Sequence, residues 1–444
     1  MNRPAPGKPA RPRPRPLTAR EAALKAFLNI DADGAALDNA LSAQPGYDRM
    51  DTRDRAFARA IVSAAIRRRG TLEAAFESFM DRPLRPRELT GRAVLTLASA
   101  ELLVLQTPPH AVVDGWVRIM GASEDGRRLK GLTNAVLRRV SERGAETFLA
   151  ADPLIDLPEW LRTRWIEHYG EDAARSMALA RAGAPPLDLS AKPGFDTVAF
   201  ASEIGGIVLP TGTVRKEGIG DVTALPGFEA GNWWAQDAAA ALPVKLLDPK
   251  PGERIADICA APGGKTLQLA AAEADVIAVD RSEARLRRVS QNLARTRLKA
   301  QIIAADATSW QPPELLDAVL LDAPCSATGT LRRRPDVAGT KSEADIESLA
   351  ALQAALLDNA FAMLKPGGRL VYCTCSLEPE EGEAQIETFL ERTPEAMRLP
   401  ISAGELPGLA DAVTANGDVR TRPDMWANEG GLDGFYIARL VKPD

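Results

Sequence analysis

The sequence predicts an α/β protein whose C-terminal half is a doubly wound parallel sheet, preceded by an all-α domain and a small α+β segment. Three observations predict it. From Arg254 onward, short apolar runs at 254–258, 276–279, 301–303, 318–321, 369–372 and 434–440 alternate with helical stretches, the pattern of strands joined by crossover helices. From Leu17 to about Val140 apolar residues recur every three or four positions instead, as on buried helix faces. Between them, residues 151–235 mix one helical stretch with short β-like runs. At 444 residues, and with roughly 100–200 residues per domain, the expected division is an Arg/Pro-rich arm at 1–16, a helical domain at 17–150, an α+β subdomain at 151–235 and the sheet domain at 236–444.

In the helical part the repeating sets are Leu24/Phe27/Leu28, Phe57/Ile61/Ala65, Val94/Leu97/Leu102/Leu105 and Leu132/Val136/Leu137/Val140. Breaks at Gly34, Gly70, Pro83, Pro86 and Pro108-Pro109 cut this stretch into several short helices, suited to a compact bundle. Arg67-Arg68-Arg69 and Arg138-Arg139 are expected to end two of them as solvated caps, favoured there by the helix dipole. A helix carrying Trp160, Leu161 and Trp165 opens the middle segment, and Ile207-Val208-Leu209 reads as a strand. The Trp233-Trp234 pair is expected in the core rather than stacked on bases, with an alanine-rich helix after it.

Composition narrows the function. An apolar share of 45% and a charged share of 26% are those of soluble globular proteins, and no run approaches the roughly 20 apolar residues that span a bilayer. The Arg/Pro-rich start lacks an apolar secretory core, so the cytoplasm is the expected location. The net charge of −5 hides an asymmetry. Residues 1–150 carry 25 Lys and Arg against 17 Asp and Glu, and the remainder 30 against 43, near +8 and −13. A basic module joined to an acidic one suits a polyanion for the first and a cationic small molecule for the second. All four cysteines, Cys259, Cys325, Cys373 and Cys375, lie in the C-terminal half, too few and too bunched for a disulfide scaffold. With histidine only at 110 and 168, no structural metal is expected.

The chemistry-bearing residues sit at predicted strand ends. Cys259-Ala260-Ala261-Pro262-Gly263-Gly264-Lys265 follows the first strand of the sheet domain, and its two glycines let a ligand lie against bare backbone at a helix start. Asp280 ends the second strand, Asp306 follows the third and Asp322 ends the fourth. Such acids are often mere caps, but three around one glycine turn outline a pocket, with Asp280 placed to meet a ribose diol. The turn is neither a Gly-x-Gly-x-x-Gly fingerprint nor a Walker loop. An acid-rich pocket instead suits S-adenosyl-L-methionine, whose sulfonium is cationic. Cys325, in Asp-Ala-Pro-Cys, and Cys375, in Thr-Cys-Ser, each follow an apolar strand. An isolated cysteine is usually a buried hydrophobe, but if strands four and five are neighbours these two thiols meet in the cofactor crevice.

The runs CAAPGGKT at 259–266, VD at 279–280, AD at 305–306, DAPCSATGTLRRRPD at 322–336, LKPGGRLVYCTCS at 364–376 and DGFYIARL at 433–440 resemble the Sun/Fmu-like bacterial ribosomal RNA (cytosine-C5) methyltransferases. TAREAALKAF at 18–27, DRAFARAIV at 54–62 and GLTNAVLRRV at 131–140 look like that family's NusB-like helical domain. The resemblance implies a Rossmann-like class I methyltransferase domain and an RNA-recognition-like subdomain at 151–235. It implies that the RNA partner is 16S ribosomal RNA or a small-subunit precursor; separately, a monomer with no membrane partner is expected. It further implies that Cys375 attacks the base and Cys325 helps break the adduct. Lys265 is expected to favour the thiolate and Asp322 to contact the base edge. The pattern is departed from at Ala327, where glycine is usual, at Gly382, where asparagine is expected, and at Leu189-Ser190-Ala191-Lys192, and 336–342 lacks the usual aromatic. Two rivals are an RNA-binding assembly factor with a vestigial cofactor site and a DNA cytosine methyltransferase using the Pro-Cys thiol as nucleophile.

Overall fold

A computed structural model describes residues 17–218 and 220–444; the basic arm expected at 1–16 lies outside the described residues. The chain divides into two compact units after Ala151.

The first unit is helical: α1 (Ala19–Asp33), α2 (Leu37–Ser42), α3 (Thr52–Arg67), α4 (Arg69–Glu77), α5 (Leu89–Leu103), α6 (Pro109–Ala122) and α7 (Lys130–Ala150). Helix α1 starts where Thr18 accepts from the backbone N–H of Glu21 and the Glu21 carboxylate accepts from the Thr18 N–H, a reciprocal cap that satisfies two otherwise orphaned donors. It stops at Gly34, left-handed at φ 62°. One buried carboxylate fixes three helices. Glu101 of α5, wholly buried, accepts from Arg20 Nε and Nη2 of α1 at 2.8 and 2.7 Å and from Trp116 Nε1 of α6 at 2.7 Å.

Two expectations fail in this unit. The break expected at Gly70 falls at Arg68, whose φ of −118° leaves the helical region, and Gly70 lies inside α4. The arginines there are not solvated caps: Arg67 is buried, Arg68 stacks on the Phe148 ring at 4.3 Å, and Arg69 pairs with Asp31 at 2.6 Å and Glu73 at 3.2 Å. Arg138 and Arg139 end no helix, because Val140, Gly144 and Phe148 carry the buried face of α7 on to Ala150.

The second unit begins with α8 (Glu159–Tyr169) and α9 (Glu171–Ala180). Next come β1 (Leu187–Ala191), α10 (Thr197–Ile204), β2 (Ile207–Val208), β3 (Val214–Lys216) and β4 (Trp233–Ala235), which make an antiparallel sheet in the order β2-β3-β1-β4. Trp233 and Trp234 are both buried, as expected of core residues. The expected alanine-rich helix is shorter than its composition allows: Ala238 to Ala241 form turns, and α11 spans only Leu242–Leu247.

The main sheet follows: β5 (Arg254–Ile258), α12 (Gly264–Ala271), β6 (Asp275–Asp280), α13 (Glu283–Thr296), β7 (Gln301–Ala304), β8 (Leu316–Asp322), α14 (Val337–Thr340), α15 (Glu343–Ala362), β9 (Leu364–Thr374), α16 (Glu383–Arg392), β10 (Met397–Arg398), β11 (Val419–Thr421) and β12 (Phe435–Val441). Its order is β7-β6-β5-β8-β9-β12-β10, with β11 on β12. Strands β5 to β9 run parallel and β12 runs antiparallel to β9. Period-two side-chain alternation gives the central strands two buried faces, while the edge strands β7 and β10 are largely exposed. Ile255, Ala318, Leu320 and Val371 pack with α11 on one side, while Ala256, Val319, Leu321 and Tyr372 pack with α15 and α16 on the other. The order reverses between β5 and β8, so their carboxyl ends open the crevice where such sheets bind ligands.

Candidate active site

Strands β8 and β9 are paired neighbours, with Asp322 opposite Cys373. The loops leaving their carboxyl ends therefore start side by side, and Sγ of Cys325 lies 3.4 Å from Sγ of Cys375. Both cysteines are partly exposed, whereas Cys373, two residues before Cys375, is buried in the sheet core. Contact with Cys375, burial and the Glu381 carboxylate together hold the Cys325 thiol well above its ordinary value.

The glycine turn sits across from them. Gly263 has φ 108°, a conformation closed to side chains with a Cβ, and α12 starts directly after it. Lys265 reaches from this first turn to Asp322, Nζ to Oδ2 at 2.8 Å. Burial opposes the lysine's charge, yet the Asp322 carboxylate holds its pKa above the ordinary value. Asp322 also accepts a weak contact from Cys373 Sγ at 3.6 Å. The positive charge expected to promote a thiolate is thus already paired with Asp322.

A cavity of about 340 Å³ takes in Ala260, Pro262, Gly264, Lys265 and Asp322 together with Trp234, Gln236, Asp237, Asn292 and Arg295. The other expected cofactor residues, Cys259, Ala261, Gly263, Asp280 and Asp306, do not line it. Buried Asp280 braces the turn, accepting from the N–H of Ala261 at 3.2 Å and of Ser282 at 2.9 Å. Asp306 is exposed and accepts from the N–H and hydroxyl of Thr308 at 3.0 and 2.7 Å, a local turn of the Asx kind. Burial pushes the Cys259 thiol up to about 12, with Asp322, Asp280 and Asp257 adding to the rise.

Several residues here escaped sequence reasoning. Asp257, wholly buried, accepts from Thr266 Oγ1 at 2.5 Å, and its Oδ1 has no hydrogen-bond partner among the described residues. Burial pushes its pKa up to about 7. Asp237 lies in a buried ion cluster with Arg332 at 2.9 Å and Arg333 at 2.5 Å, while Arg215 and Asp188 pair at 2.6 Å and Arg333 bridges to Asp188 at 3.3 Å. This cluster joins β1 and β3 of the small sheet to the segment after β4 and to the RRRPD run. The signal was present as WWAQD and RRRPD, but each half is uninformative without the other.

Strand order, glycine turn and strand-end thiols define a Rossmann-like class I methyltransferase domain, preceded in the chain by a NusB-like helical domain. The family model described as 16S rRNA methyltransferase RsmB/F matches residues 244–441, and the NusB family model matches 17–142. A Salmonella arizonae protein named Ribosomal RNA small subunit methyltransferase B is 36% identical over 441 residues, covering 95% of this chain and 98% of its own. A Pseudomonas putida protein of the same name is 34% identical over 453 residues, covering 96% and 99%. The solved structure of PH0851 shares the fold, with a TM-score of 0.71, 24% identity and coverage of 95% of this chain and 98% of that one. The chain belongs to the RsmB/F family of 16S rRNA methyltransferases, as its resemblance to the Sun/Fmu-like enzymes implied. Among the described residues no helix is long and apolar enough to cross a membrane.

Proposed function

We propose that the protein transfers a methyl group from S-adenosyl-L-methionine to C5 of a cytosine in 16S ribosomal RNA, through a covalent bond between Cys375 and C6 of the base. The observation that carries this reading is the 3.4 Å separation of two partly exposed thiols at adjacent strand ends, in a chain whose relatives are named for the small-subunit RNA. Cys259 to Lys265, Asp280, Asp306 and Asp322 would hold the cofactor. A tight turn at φ 108° and the acids at the strand ends fit a ligand with cationic and donor groups. When bound, that cofactor supplies an electrophilic methyl group on a positively charged sulfur.

The chain's own residues do the rest. The Cys375 thiolate adds to C6, and the electron pair displaced onto C5 makes that carbon nucleophilic. Once C5 is methylated, Cys325, having given its own proton to water, takes the C5 proton as a thiolate, the electrons return to the ring and the Cys375–C6 bond breaks. Asp322, held by Lys265, faces the edge of the base. The base must leave its stack to reach the thiols, and the NusB-like domain and the subdomain at 151–235 would hold the RNA around it. Incubation with labelled cofactor should place 5-methylcytosine in 16S rRNA and not in DNA. RNA binding without methyl transfer by the wild-type protein would instead favour an assembly factor, and labelled DNA would favour the DNA methyltransferase.

A further inference from the structure

Glu381 is completely buried beneath the two thiol-bearing loops. Its side chain grips the Cys325 loop: the N–H of Ser326, the next residue, donates to Oε1 at 2.9 Å, and the Ser326 hydroxyl donates to Oε2. Gln353 Nε2 donates both to Oε1 at 3.0 Å and to the Pro324 carbonyl at 2.8 Å. The main chain of Glu381 grips the other side. Its carbonyl accepts from Thr374 Oγ1 at 3.0 Å and from the Tyr372 hydroxyl at 2.9 Å, just ahead of Cys375. Ser326 Oγ and Ser376 Oγ, each one residue past a thiol, lie 3.1 Å apart and close the ring.

We propose that Glu381 is a positioning residue for the two thiols, holding the Cys325 loop against the end of β9 and so setting their separation. The claim about roles rests on the covalent reading above; the claim about spacing and protonation does not. Side-chain and main-chain grips from one residue fix both loops to one point, and a buried carboxylate can be kept there because neutral donors surround it. Its charge acts on Cys325 directly. Cys375 and the Glu381 carboxylate raise the pKa of that thiol against a lowering contact from the Ala327 backbone. The nearby Arg420 guanidinium sits on the Ser376 carbonyl and acts on Tyr372. A negative Glu381 favours the protonated form. Burial raises the pKa of Glu381 itself, against the lowering effect of donors from Ser326, Ser376 and Gln353. Cys325 is thereby kept from competing with Cys375 for the base.

The test uses the full chain and Glu381→Gln, which keeps the shape and removes the charge. Alkylation of each cysteine by iodoacetamide, followed against pH by peptide mass mapping, needs neither RNA nor methyl transfer. Cys325 in the variant should alkylate at lower pH than in the wild type, and Glu381→Asp should return the profile towards it. In RNA methylation, kcat of Glu381→Gln should fall about 10- to 100-fold, the size of effect that a small misplacement of reacting groups produces, with KM for RNA nearly unchanged. An unchanged Cys325 profile, or kcat within twofold of wild type, overturns the proposal. Should Glu381→Gln fail to fold, Ser326→Ala removes the hydroxyl contact to the carboxylate, leaves the backbone one in place, and must lower kcat without raising KM. A shifted Cys325 profile in a protein that methylates no RNA would support the role of Glu381 and sink the covalent RNA reading alone.

Discussion

Lys265 Nζ and Asp322 Oδ2 are 2.8 Å apart, and the pair ties the glycine turn to the strand end that precedes the Pro-Cys loop. Its two ends differ in burial: the lysine side chain is 9% exposed and the aspartate 31%. Removing one partner of a buried pair leaves the other charge uncompensated, at a cost of about 3–5 kcal/mol when that charge is fully buried. Asp322→Ala, which strands the buried lysine, should therefore destabilise the protein more than Lys265→Met, whose orphaned carboxylate still meets water. Urea midpoints compare the two, and equal or reversed losses would contradict the burial argument.

Ala327 sits at φ 60°, one residue past the Ser326 that Glu381 holds. The left-handed region costs a residue with a Cβ about 1–2 kcal/mol, part of which a glycine's freer unfolded chain gives back. Ala327→Gly should raise unfolding free energy by about 0.5–1 kcal/mol. Chemical denaturation measures it, and a fall in stability would show that the alanine methyl makes a contact worth more than the strain.

Gly382 is constrained in the opposite sense. A Cβ there would meet the Arg420 guanidinium and approach the Tyr436 ring to 3.0 Å. That guanidinium pairs with Glu383, donates to the Ser376 carbonyl beside Cys375 and stacks on the Tyr436 ring at 5.0 Å. Gly382→Asn should cost about 1–3 kcal/mol through overpacking and lower methyl transfer by displacing Arg420. Adding Arg420→Ala should recover part of the stability as a coupling energy in a double-mutant cycle; strictly additive losses would show that the two sites do not compete for space.

How much was legible in the sequence depended on distance along the chain. The central strands of the main sheet were readable because residues such as Val276 to Val279 and Ala318 to Leu321 are buried on both faces, which leaves uninterrupted apolar runs. The meeting of Cys325 and Cys375 followed once β8 and β9 were taken as neighbours. The anchor beneath them did not, because Glu381, Ser326, Gln353 and Ser376 lie up to 55 positions apart and each reads as an ordinary polar residue. Charge runs misled for a related reason. Arg68 and Arg69 look solvated until Phe148, Asp31 and Glu73 fold against them.

Asp257 should make stability depend on pH near neutrality. Its folded pKa is raised to about 7 by burial, so the folded state binds the proton more tightly than the unfolded chain, whose carboxyl titrates near 3.9. The stabilisation is fully present below the unfolded value and is lost as pH rises from about 4 to about 7. Asp257→Asn, which mimics the protonated group, should flatten this part of the curve of unfolding free energy against pH. A wild-type minus variant difference that stays constant from pH 4 to 7 would contradict it.

The roles proposed for the two thiols are separated by adduct formation. Wild-type protein, Cys375→Ala and Cys325→Ala are incubated with labelled cofactor and 16S rRNA and run on denaturing gels. The wild type should give 5-methylcytosine, Cys375→Ala neither product nor adduct, and Cys325→Ala an accumulated protein–RNA adduct. An adduct that survives in Cys375→Ala and vanishes in Cys325→Ala would contradict this proposal and reverse the two roles.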